Sequence, residues 1–390
     1  MKKIIIVNNN MNLGGVQKAL LDLLWAVQEE YDITLFLFSS TGEYMDKLPQ
    51  KIKVVSCKSM FQCLGISQNE SKSNPVLFLI RGLLAFLTKK WGKQTAMKLI
   101  LMSQPVLTEK YDCAVSYLQN GGTHSFYGGC NEFVLQKIHA DRKITFLHCD
   151  YRNCGANNLY NNVMYDQFDG IAACSEGCRK AFLEIFPEKE NITMAVTNCH
   201  DYDRMIRMSQ ESPEVYDEDV TNIITVARLS AEKGIERGIG AVAEAVKRGY
   251  KACYHIVGDG IEREKLENLV KTLEIEHCVK FYGGTDNPYR YMKNADLLMV
   301  TSFHEAAPLV IDEALCLGVP VLSTETTSSQ DMVLDRGIGW VCKNDQQSLN
   351  KMLVQILEKS EILGQVKERI SSMECSNKQA VYEFRKVIEN

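Results

Sequence analysis

Residues 223–234 read Ile223-Ile-Thr-Val-Ala-Arg228-Leu-Ser-Ala-Glu-Lys233-Gly234, an apolar run that leads into a short polar loop. The run predicts a buried strand, and the amphipathic stretch after Gly234 predicts a helix. Such a loop lies at the carboxyl edge of a parallel sheet, where ligands bind in doubly wound folds. Its Arg and Lys suit a diphosphate, because a guanidinium can contact two oxygens while an ammonium acts as a point charge. The alternative is that both are ordinary surface residues.

Short apolar runs alternate with amphipathic stretches along the whole chain, which predicts βαβ units and parallel sheets. The predicted strands are residues 3–7, 33–38, 54–56, 113–117, 143–147 and 170–173 in a first block and 223–227, 252–257, 279–282, 295–300 and 320–323 in a second. A polar stretch without apolar periodicity, residues 198–221, separates the blocks. We therefore expect two doubly wound α/β domains, 1–200 and 201–376, that face a central cleft. Residues 377–390 are expected to form a terminal helix that crosses back to the first domain.

A second candidate segment, Glu305-Ala-Ala-Pro308-Leu-Val-Ile-Asp-Glu313, follows another predicted strand. Pro308 suits the first position of a helix, so the amides of Ala307 and Leu309 would belong to an anion site at a helix N-terminus. Glu305 would lie at the strand end. Glu313 would lie inside the helix, where a carboxylate needs a partner such as a pair of ribose hydroxyls. Alternatively, the two glutamates are a first-turn acid and an exposed one.

Three further residues are expected at strand ends or at a helix start. Gly258 follows the strand predicted at 252–257, and Gly15 opens the first helix; glycine lets a ligand approach the backbone closely. A GxGxxG motif is absent from the sequence, so a dinucleotide fingerprint is not predicted. His148 ends the strand predicted at 143–147, where it either contacts a substrate or is structural.

Composition excludes several classes of protein. Hydrophobic residues make up 45% of the chain, which excludes a disordered or fibrous protein. The net charge of −5 excludes a strongly basic nucleic-acid binder. The fourteen cysteines include no CxxC pair, so we expect small buried residues in a reducing compartment and no zinc site. Asp201-Tyr-Asp203 matches a metal-binding pattern only by letter, and no metal is expected.

Residues 72–98 combine an apolar run with basic side chains. The run 76–87 is too short to span a membrane. Between residues 71 and 108 no acidic residue occurs, and the basic residues are Lys72, Arg81, Lys89, Lys90, Lys93 and Lys98. This pattern is typical of an amphipathic segment resting on anionic lipid; the alternative is a core helix followed by a solvated basic helix. Because the N-terminal apolar run suits a first strand rather than a signal peptide, we expect a cytoplasmic protein. The membrane interpretation of residues 72–98 would place it peripherally on the inner face of the plasma membrane.

Several motifs in order give the chain a family likeness. The sequence resembles the retaining family-4 glycosyltransferases over nearly its whole length, through Arg228 with Lys233, Gly258-Asp-Gly, Asp286-Asn-Pro-Tyr, Asn294-Ala-Asp, and Glu305 with Glu313 ahead of Pro320-Val. These enzymes have the GT-B fold, in which two Rossmann-like domains face a cleft. The resemblance specifies the family and says little about the sugar.

The resemblance implies a role for each candidate residue. Arg228 and Lys233 would hold the diphosphate of a sugar nucleotide, Glu313 the ribose hydroxyls and Glu305 the donor sugar, with His148 near the reacting centre. The implied donor-binding residues are Gly15, Arg228, Lys233, Gly258, Glu305, Ala307, Leu309 and Glu313, and the implied catalytic residues are His148, Arg228, Lys233 and Glu305. One departure is Ala306, where the family commonly has Gly; its methyl group narrows the approach to the sugar.

The expected function is transfer of a sugar from a nucleotide-diphosphate donor, with a UDP-sugar expected, to a hydroxyl of a surface glycan or lipid-linked saccharide. Stereochemistry at the anomeric carbon would be retained, and no cofactor or metal would be required. Two alternatives remain from the sequence. One is a sugar-nucleotide epimerase of the same fold, and the other is a non-catalytic partner subunit that resembles a transferase.

Overall fold

The computed structural model describes residues 1–389, and the chain divides into two compact units. Residues 1–200 and 377–389 belong to the first unit, and residues 201–376 form the second. Within the described residues, the first unit contains a seven-stranded sheet and the second a six-stranded sheet, both with parallel strand pairs. The predicted α/β fold class, with two Rossmann-like sheets, is confirmed.

The sheet of the first unit has the order β3-β2-β1-β4-β5-β6-β7. Its strands are β1 (Lys2–Asn8), β2 (Tyr31–Leu37), β3 (Lys53–Ser56), β4 (Lys110–Ser116), β5 (His139–Leu147), β6 (Gly170–Ala173) and β7 (Thr193–Ala195). The helices between them are α1 (Gly15–Val27), α2 (Gln62–Gly65), α3 (Pro75–Trp91), α4 (Lys93–Met102), α5 (Cys130–Lys137), α6 (Leu159–Tyr165) and α7 (Glu176–Leu183). Central strand β1 is fully buried from Ile4 to Val7, as expected for a parallel strand covered on both faces.

The sheet of the second unit has the order β10-β9-β8-β11-β12-β13. Its strands are β8 (Thr221–Val226), β9 (Ala252–Val257), β10 (Val279–Gly283), β11 (Leu297–Val300), β12 (Val321–Thr324) and β13 (Gly339–Cys342). Its helices are α8 (Tyr202–Ser209), α9 (Ile235–Lys247), α10 (Arg263–Thr272), α11 (Tyr289–Met292), α12 (Leu309–Leu317), α13 (Gln346–Glu358) and α14 (Glu361–Ser371). Since the strands are parallel, the loops after β8, β9, β10 and β11 all lie at one edge of this sheet.

The last helix, α15 (Lys378–Glu389), packs on the first unit beside β5, β6 and β7. Phe384 is fully buried there and meets the ring of Tyr31 edge to face, with centroids 6.1 Å apart. Just before the helix, the Asn377 side chain accepts a hydrogen bond from the His200 amide at 2.9 Å and donates one to the His200 carbonyl at 2.8 Å. These contacts fix the helix on the unit that contains the start of the chain.

Helix α3 has one face on the core and one apolar face in solvent. Leu84 is buried, whereas the side chains exposed along the other face are Val76, Leu79, Leu83 and Phe86; Trp91 is exposed at the end of the helix. Lys72, Lys89, Lys90 and Lys98 are exposed, but two of the predicted basic residues turn inward. Arg81 donates to the Ile66 carbonyl at 2.9 Å, and Lys93 is buried 3.4 Å from Glu132. The segment therefore has four exposed lysines, while Arg81 and Lys93 bond within the protein.

Three elements differ from the sequence-based expectation. The stretch 198–221 contains helix α8, which Asp201 caps by accepting from the Arg204 amide at 3.0 Å, and which buries Met205. Strands β7 and β13 were not predicted, because they are edge strands of three and four residues without a clear apolar alternation.

Among residues 1–389, no helix is both long enough and apolar enough to be a membrane span.

Replacing Phe384 with Ala should lower the free energy of unfolding of the first unit by about 3–5 kcal/mol, because the change leaves a cavity under α15. The matched control is Tyr382→Ala on the same helix. Tyr382 is 56% exposed, so its removal should cost no more than about 0.5 kcal/mol. Urea unfolding followed by circular dichroism measures both. Equal costs for the two variants would contradict the packing of α15 described above.

Candidate active site

The loop after β8 is joined by backbone hydrogen bonds to the loop after β9. The Ala227 amide donates to the Val257 carbonyl at 3.0 Å, and the Leu229 amide donates to the Asp259 carbonyl at 2.9 Å. The Glu262 amide returns to the Leu229 carbonyl at 3.1 Å. The Arg228–Lys233 loop therefore has a fixed path at the carboxyl edge of the sheet.

This close approach explains why Gly258 is a glycine. A Cβ at Gly258 would lie 1.9 Å from the Ala227 carbonyl oxygen, and its φ of +138° disfavours other residues. A Cβ at Gly260 would lie 2.2 Å from the Leu229 carbonyl oxygen. Gly258 was predicted to let a ligand approach the backbone, whereas in the structure it lets the loop after β8 approach the backbone. A donor contact at Gly258 stays a prediction.

The loop after β11 is attached to the same segment. The Thr301 hydroxyl donates to the Lys233 carbonyl at 2.9 Å, and the Phe303 amide donates to the Glu232 carbonyl at 2.9 Å. Two hydrogen bonds thus join the loops of two adjacent strands. They fix the backbone positions from which the side chains of Lys233 and Glu305 extend.

Lys233 and Glu305 form an ion pair. Lys233 Nζ lies 2.6 Å from Glu305 Oε1, and the Ser302 hydroxyl donates to the same oxygen at 2.6 Å. The two side chains are 23% and 11% exposed, so the pair is largely withdrawn from water and is screened less than a surface pair. Two candidates predicted from separate motifs are therefore in direct contact.

Arg228 belongs to the same loop but extends into solvent. Its side chain is 75% exposed, and Nη2 lies 3.9 Å from Glu232 Oε1. An exposed pair at this distance contributes little energy, so the guanidinium is available to a ligand that reaches the loop.

Helix α12 begins at Leu309, shortly after Glu305 in the chain. Pro308 was predicted as the first helical residue; in the structure it is the N-cap, with an extended ψ of 113°, and Leu309 begins the helix. No side chain caps this end. The first amides of a helix have no intrahelical acceptor, so those of Leu309 and its successor present positive charge density shortly after Glu305 in the chain.

Glu313 has a partner within the chain. The hydroxyl of Tyr289, a buried side chain on α11, donates to Glu313 Oε1 at 3.2 Å. The sequence led us to expect that this carboxylate needs a partner, for which ribose hydroxyls would serve, and the Tyr289 hydroxyl is one partner within the chain. A contact with ribose hydroxyls stays a prediction.

Arg237 is a site residue that the sequence analysis missed. This buried side chain on the first turn of α9 donates to the Thr301 carbonyl and, at 2.6 Å, to Asn344 Oδ1, and its guanidinium lies 3.9 Å from the centroid of the Phe303 ring. It holds the loop that carries Glu305. A cation in the first turn opposes the helix dipole, which is the sequence signal that could have identified it.

The first unit contains two candidates, Gly15 at the start of α1 and His148 after β5. Gly15 is exposed, and a Cβ there would meet no atom within 4 Å. The His148 ring packs 4.8 Å from Tyr117, and its Nε2 is shielded from solvent without a hydrogen-bond partner. Burial lowers the pKa of His148 to about 4, so the ring is neutral at pH 7. In the sheet, β4 lies between β1, which precedes Gly15, and β5, which precedes His148.

Comparison with known proteins gives relatives for both halves. Residues 209–373 match the family model described as glycosyl transferases group 1. Over 97% of this chain and 96% of the relative, the sequence is 24% identical to the GalNAc-alpha-(1->4)-GalNAc-alpha-(1->3)-diNAcBac-PP-undecaprenol alpha-1,4-N-acetyl-D-galactosaminyltransferase of Campylobacter jejuni. An uncharacterized glycosyltransferase of Methanocaldococcus jannaschii is 26% identical over 45% of this chain and 44% of its own. The crystal structure of Anabaena Alr3699/HepE in complex with UDP and glucose has a TM-score of 0.69 at 17% identity, over 100% of this chain and 99% of its own.

These comparisons show the fold of the chain and a family domain in its second unit. The fold is that of GT-B glycosyltransferases, and the second unit carries a glycosyl transferases group 1 domain. The alignments with the first curated relatives span 44%, 42% and 48% of those proteins' length.

The lowered pKa of His148 leads to a prediction about the pH dependence of stability. An unfolded histidine binds a proton near pH 6.5, whereas folded His148, with a pKa of about 4, does not. Stability should therefore fall as the pH drops from about 6.5 towards 4, because there the unfolded state binds the additional proton. Imidazole nitrogen shifts in NMR spectra should show a neutral ring at pH 5. A His148 ring that titrates near pH 6.5 would contradict this.

Proposed function

We propose that the protein is a retaining glycosyltransferase that moves a sugar from a nucleotide-diphosphate donor, a UDP-sugar, to a hydroxyl of a surface glycan or lipid-linked saccharide. The observation that carries the proposal is the Lys233–Glu305 pair, 2.6 Å apart, with the uncapped start of α12 a few residues further along the chain. A cation and helix amides at one place form a site for anionic oxygens, and a carboxylate beside them suits sugar hydroxyls.

In the proposed donor site, positive groups contact the diphosphate and carboxylates contact the hydroxyl groups. Lys233 and Arg228 would contact the diphosphate, and the α12 amides would stabilise the charge that develops on the leaving oxygen. Since two side-chain cations and a helix terminus already supply positive charge, we propose that turnover requires no metal ion. Glu313 would hold the ribose hydroxyls, with Tyr289 fixing one of its oxygens.

Retention of stereochemistry is proposed to follow front-face displacement. Glu305 Oε1 already accepts hydrogen bonds from Lys233 and Ser302, which favours a role in orienting the sugar over attack on its anomeric carbon. In the first unit, Gly15 is proposed to lie against the diphosphate and His148, as a neutral ring, near the reacting sugar.

The donor base and the acceptor class are proposed from the relatives. The crystal structure of HepE is of a complex with UDP and glucose, which supports a UDP-sugar as the donor. The Campylobacter jejuni enzyme is named for a saccharide linked to undecaprenol diphosphate, which supports a lipid-linked acceptor.

Replacing Arg228 and Lys233 together with Ala should reduce kcat/KM at least about 100-fold, because hydrogen bonds to charged groups contribute about 1.5–3 kcal/mol each. UDP at 100 times its dissociation constant should stabilise the native protein by about 2.7 kcal/mol and the double variant much less. Thermal shift with UDP, GDP and ADP, together with UDP release from UDP-sugars and a lipid-linked acceptor fraction, measures both effects.

The control for this experiment is Lys247→Ala, which removes an exposed cation from the end of α9 in the same unit. Full turnover by the double variant would contradict the proposed roles. An isomerised donor formed without acceptor would indicate an epimerase instead, and failure of the native protein to bind any nucleotide would indicate a non-catalytic subunit. Turnover that stops when a chelator is added would contradict the metal-independent mechanism.

We also propose that the protein is cytoplasmic and rests on the inner membrane face through residues 72–98. The support is the exposed apolar face of α3, from Val76 to Phe86, with Lys89, Lys90 and the exposed Trp91 at the end of the helix. An apolar face rimmed by lysines matches the chemistry of an anionic bilayer surface.

The variant Lys89→Glu/Lys90→Glu should weaken binding to phosphatidylglycerol-containing vesicles at least about tenfold, because each basic residue near such a surface contributes about 1 kcal/mol. Co-sedimentation at low salt measures the binding, and added salt should release the native protein. Lys351→Glu/Lys359→Glu, on exposed positions of the second unit, is the matched control. Absence of vesicle binding by the native protein at low salt would refute the membrane proposal.

A further inference from the structure

A pair of cysteines follows His148 in the turn between β5 and α6. Cys149 Sγ donates a hydrogen bond to Cys154 Sγ across 3.0 Å. The turn is closed by the Asp150 carbonyl, which accepts from the Asn153 amide at 3.1 Å and from the Cys154 amide at 2.9 Å. The Asp150 carboxylate also accepts from the Asn153 side chain at 2.9 Å. The two thiols are therefore held together by a compact network of local bonds.

The pair departs from the expectation that the cysteines are simply small buried residues. Among the fourteen cysteines, which all lie within the described residues, Cys154 is the one that is exposed, and Cys149 is half-buried. By contrast, Cys174 and Cys178 are both buried. The hydrogen bond from Cys149 lowers the pKa of Cys154 to about 7. Cys154 is thus the accessible thiol and the one with the larger thiolate fraction, which is the nucleophilic form.

We propose that Cys149 and Cys154 form a thiol–disulfide site that a small disulfide of the glutathione class closes and a small thiol opens. In the first step, the Cys154 thiolate attacks one sulfur of the oxidised disulfide, a mixed disulfide forms at Cys154, and one thiolate leaves. In the second step, Cys149 loses its proton to solvent and its sulfur attacks the Cys154 sulfur, which releases the second thiolate. The two cysteines are oxidised by two electrons, and the reagent is reduced to two thiols.

Formation of the Cys149–Cys154 disulfide would change the position of His148, which precedes Cys149 in the chain. The sulfurs must approach from 3.0 Å to about 2 Å, which moves Cys149 and the backbone that it shares with His148. The His148 amide donates to Gln119 Oε1 at 3.1 Å, so this bond and the ring position would respond. An effect on turnover rests on the proposed role of His148, whereas formation of the disulfide does not.

The test uses the full-length, reduced protein and glutathione disulfide, and the readout is peptide mass rather than activity. Trypsin cleaves after Arg152, between the two cysteines, so the disulfide should join two peptides with the loss of two hydrogen atoms. Dithiothreitol should separate them. A glutathione adduct that persists at Cys154 of the native protein, or no modification at Cys154, would overturn the proposal.

Three variants complete the experiment. Cys154→Ser should slow disulfide formation at Cys149 at least about tenfold, because the remaining thiol is less ionised; its exposed position leaves folding intact. Cys149→Ser should accumulate the mixed disulfide at Cys154, and a thermal unfolding curve verifies that it folds. Cys316→Ser, which alters a half-buried cysteine of the second unit, should close the site at the native rate. Equal rates for Cys154→Ser and the native protein would refute the assignment of the attacking thiol.

Discussion

The candidate active site depends on the hydrogen bonds that join the loop after β8 to the loop after β11. Thr301 and Phe303 bond to the backbone of Lys233 and Glu232, and Arg237 holds Thr301 from the other side. Backbone bonds between loops leave little freedom at the positions where the side chains begin. Lys233 and Glu305, which are 72 residues apart in sequence, are therefore held in contact by the fold. An electrostatic site requires such preorganisation.

The two carboxylates of this unit differ in their surroundings. Glu305 faces an ammonium and a hydroxyl, so its negative charge is balanced by a cation that a phosphate could also attract. Glu313 faces the phenol of Tyr289, a neutral donor. The first carboxylate is coupled to the charge of whatever anion approaches Lys233, while the second depends on neutral hydrogen bonding. This difference gives a physical basis for distinct proposed roles, one at the sugar and one at the ribose.

Much of the fold could be predicted from the sequence, because buried parallel strands such as Leu297–Val300 are continuous apolar runs flanked by glycine or polar residues. Edge strand β7 could not, since three residues carry too little periodicity. The motif residues Lys233 and Glu305 were identified, but their mutual contact was not, because it depends on the register of two loops. The role of Tyr289 was missed for the same reason, because it lies in a tertiary hydrogen bond that leaves no local pattern. Arg237 does leave a local signal, a cation in the first turn of α9, but its hydrogen bonds to Thr301 and Asn344 are tertiary.

The placement of α15 has a consequence for biosynthesis. The first unit takes its residues from both sides of an uninterrupted 201–376 insertion, and the helix with Phe384 follows that insertion in the chain. During translation, the ribosome releases the whole second unit before it supplies the helix that covers β5, β6 and β7. The nascent first unit must therefore keep the apolar surface that Phe384 later covers exposed for the time taken to synthesise the insertion, a period in which a chaperone would have reason to bind it.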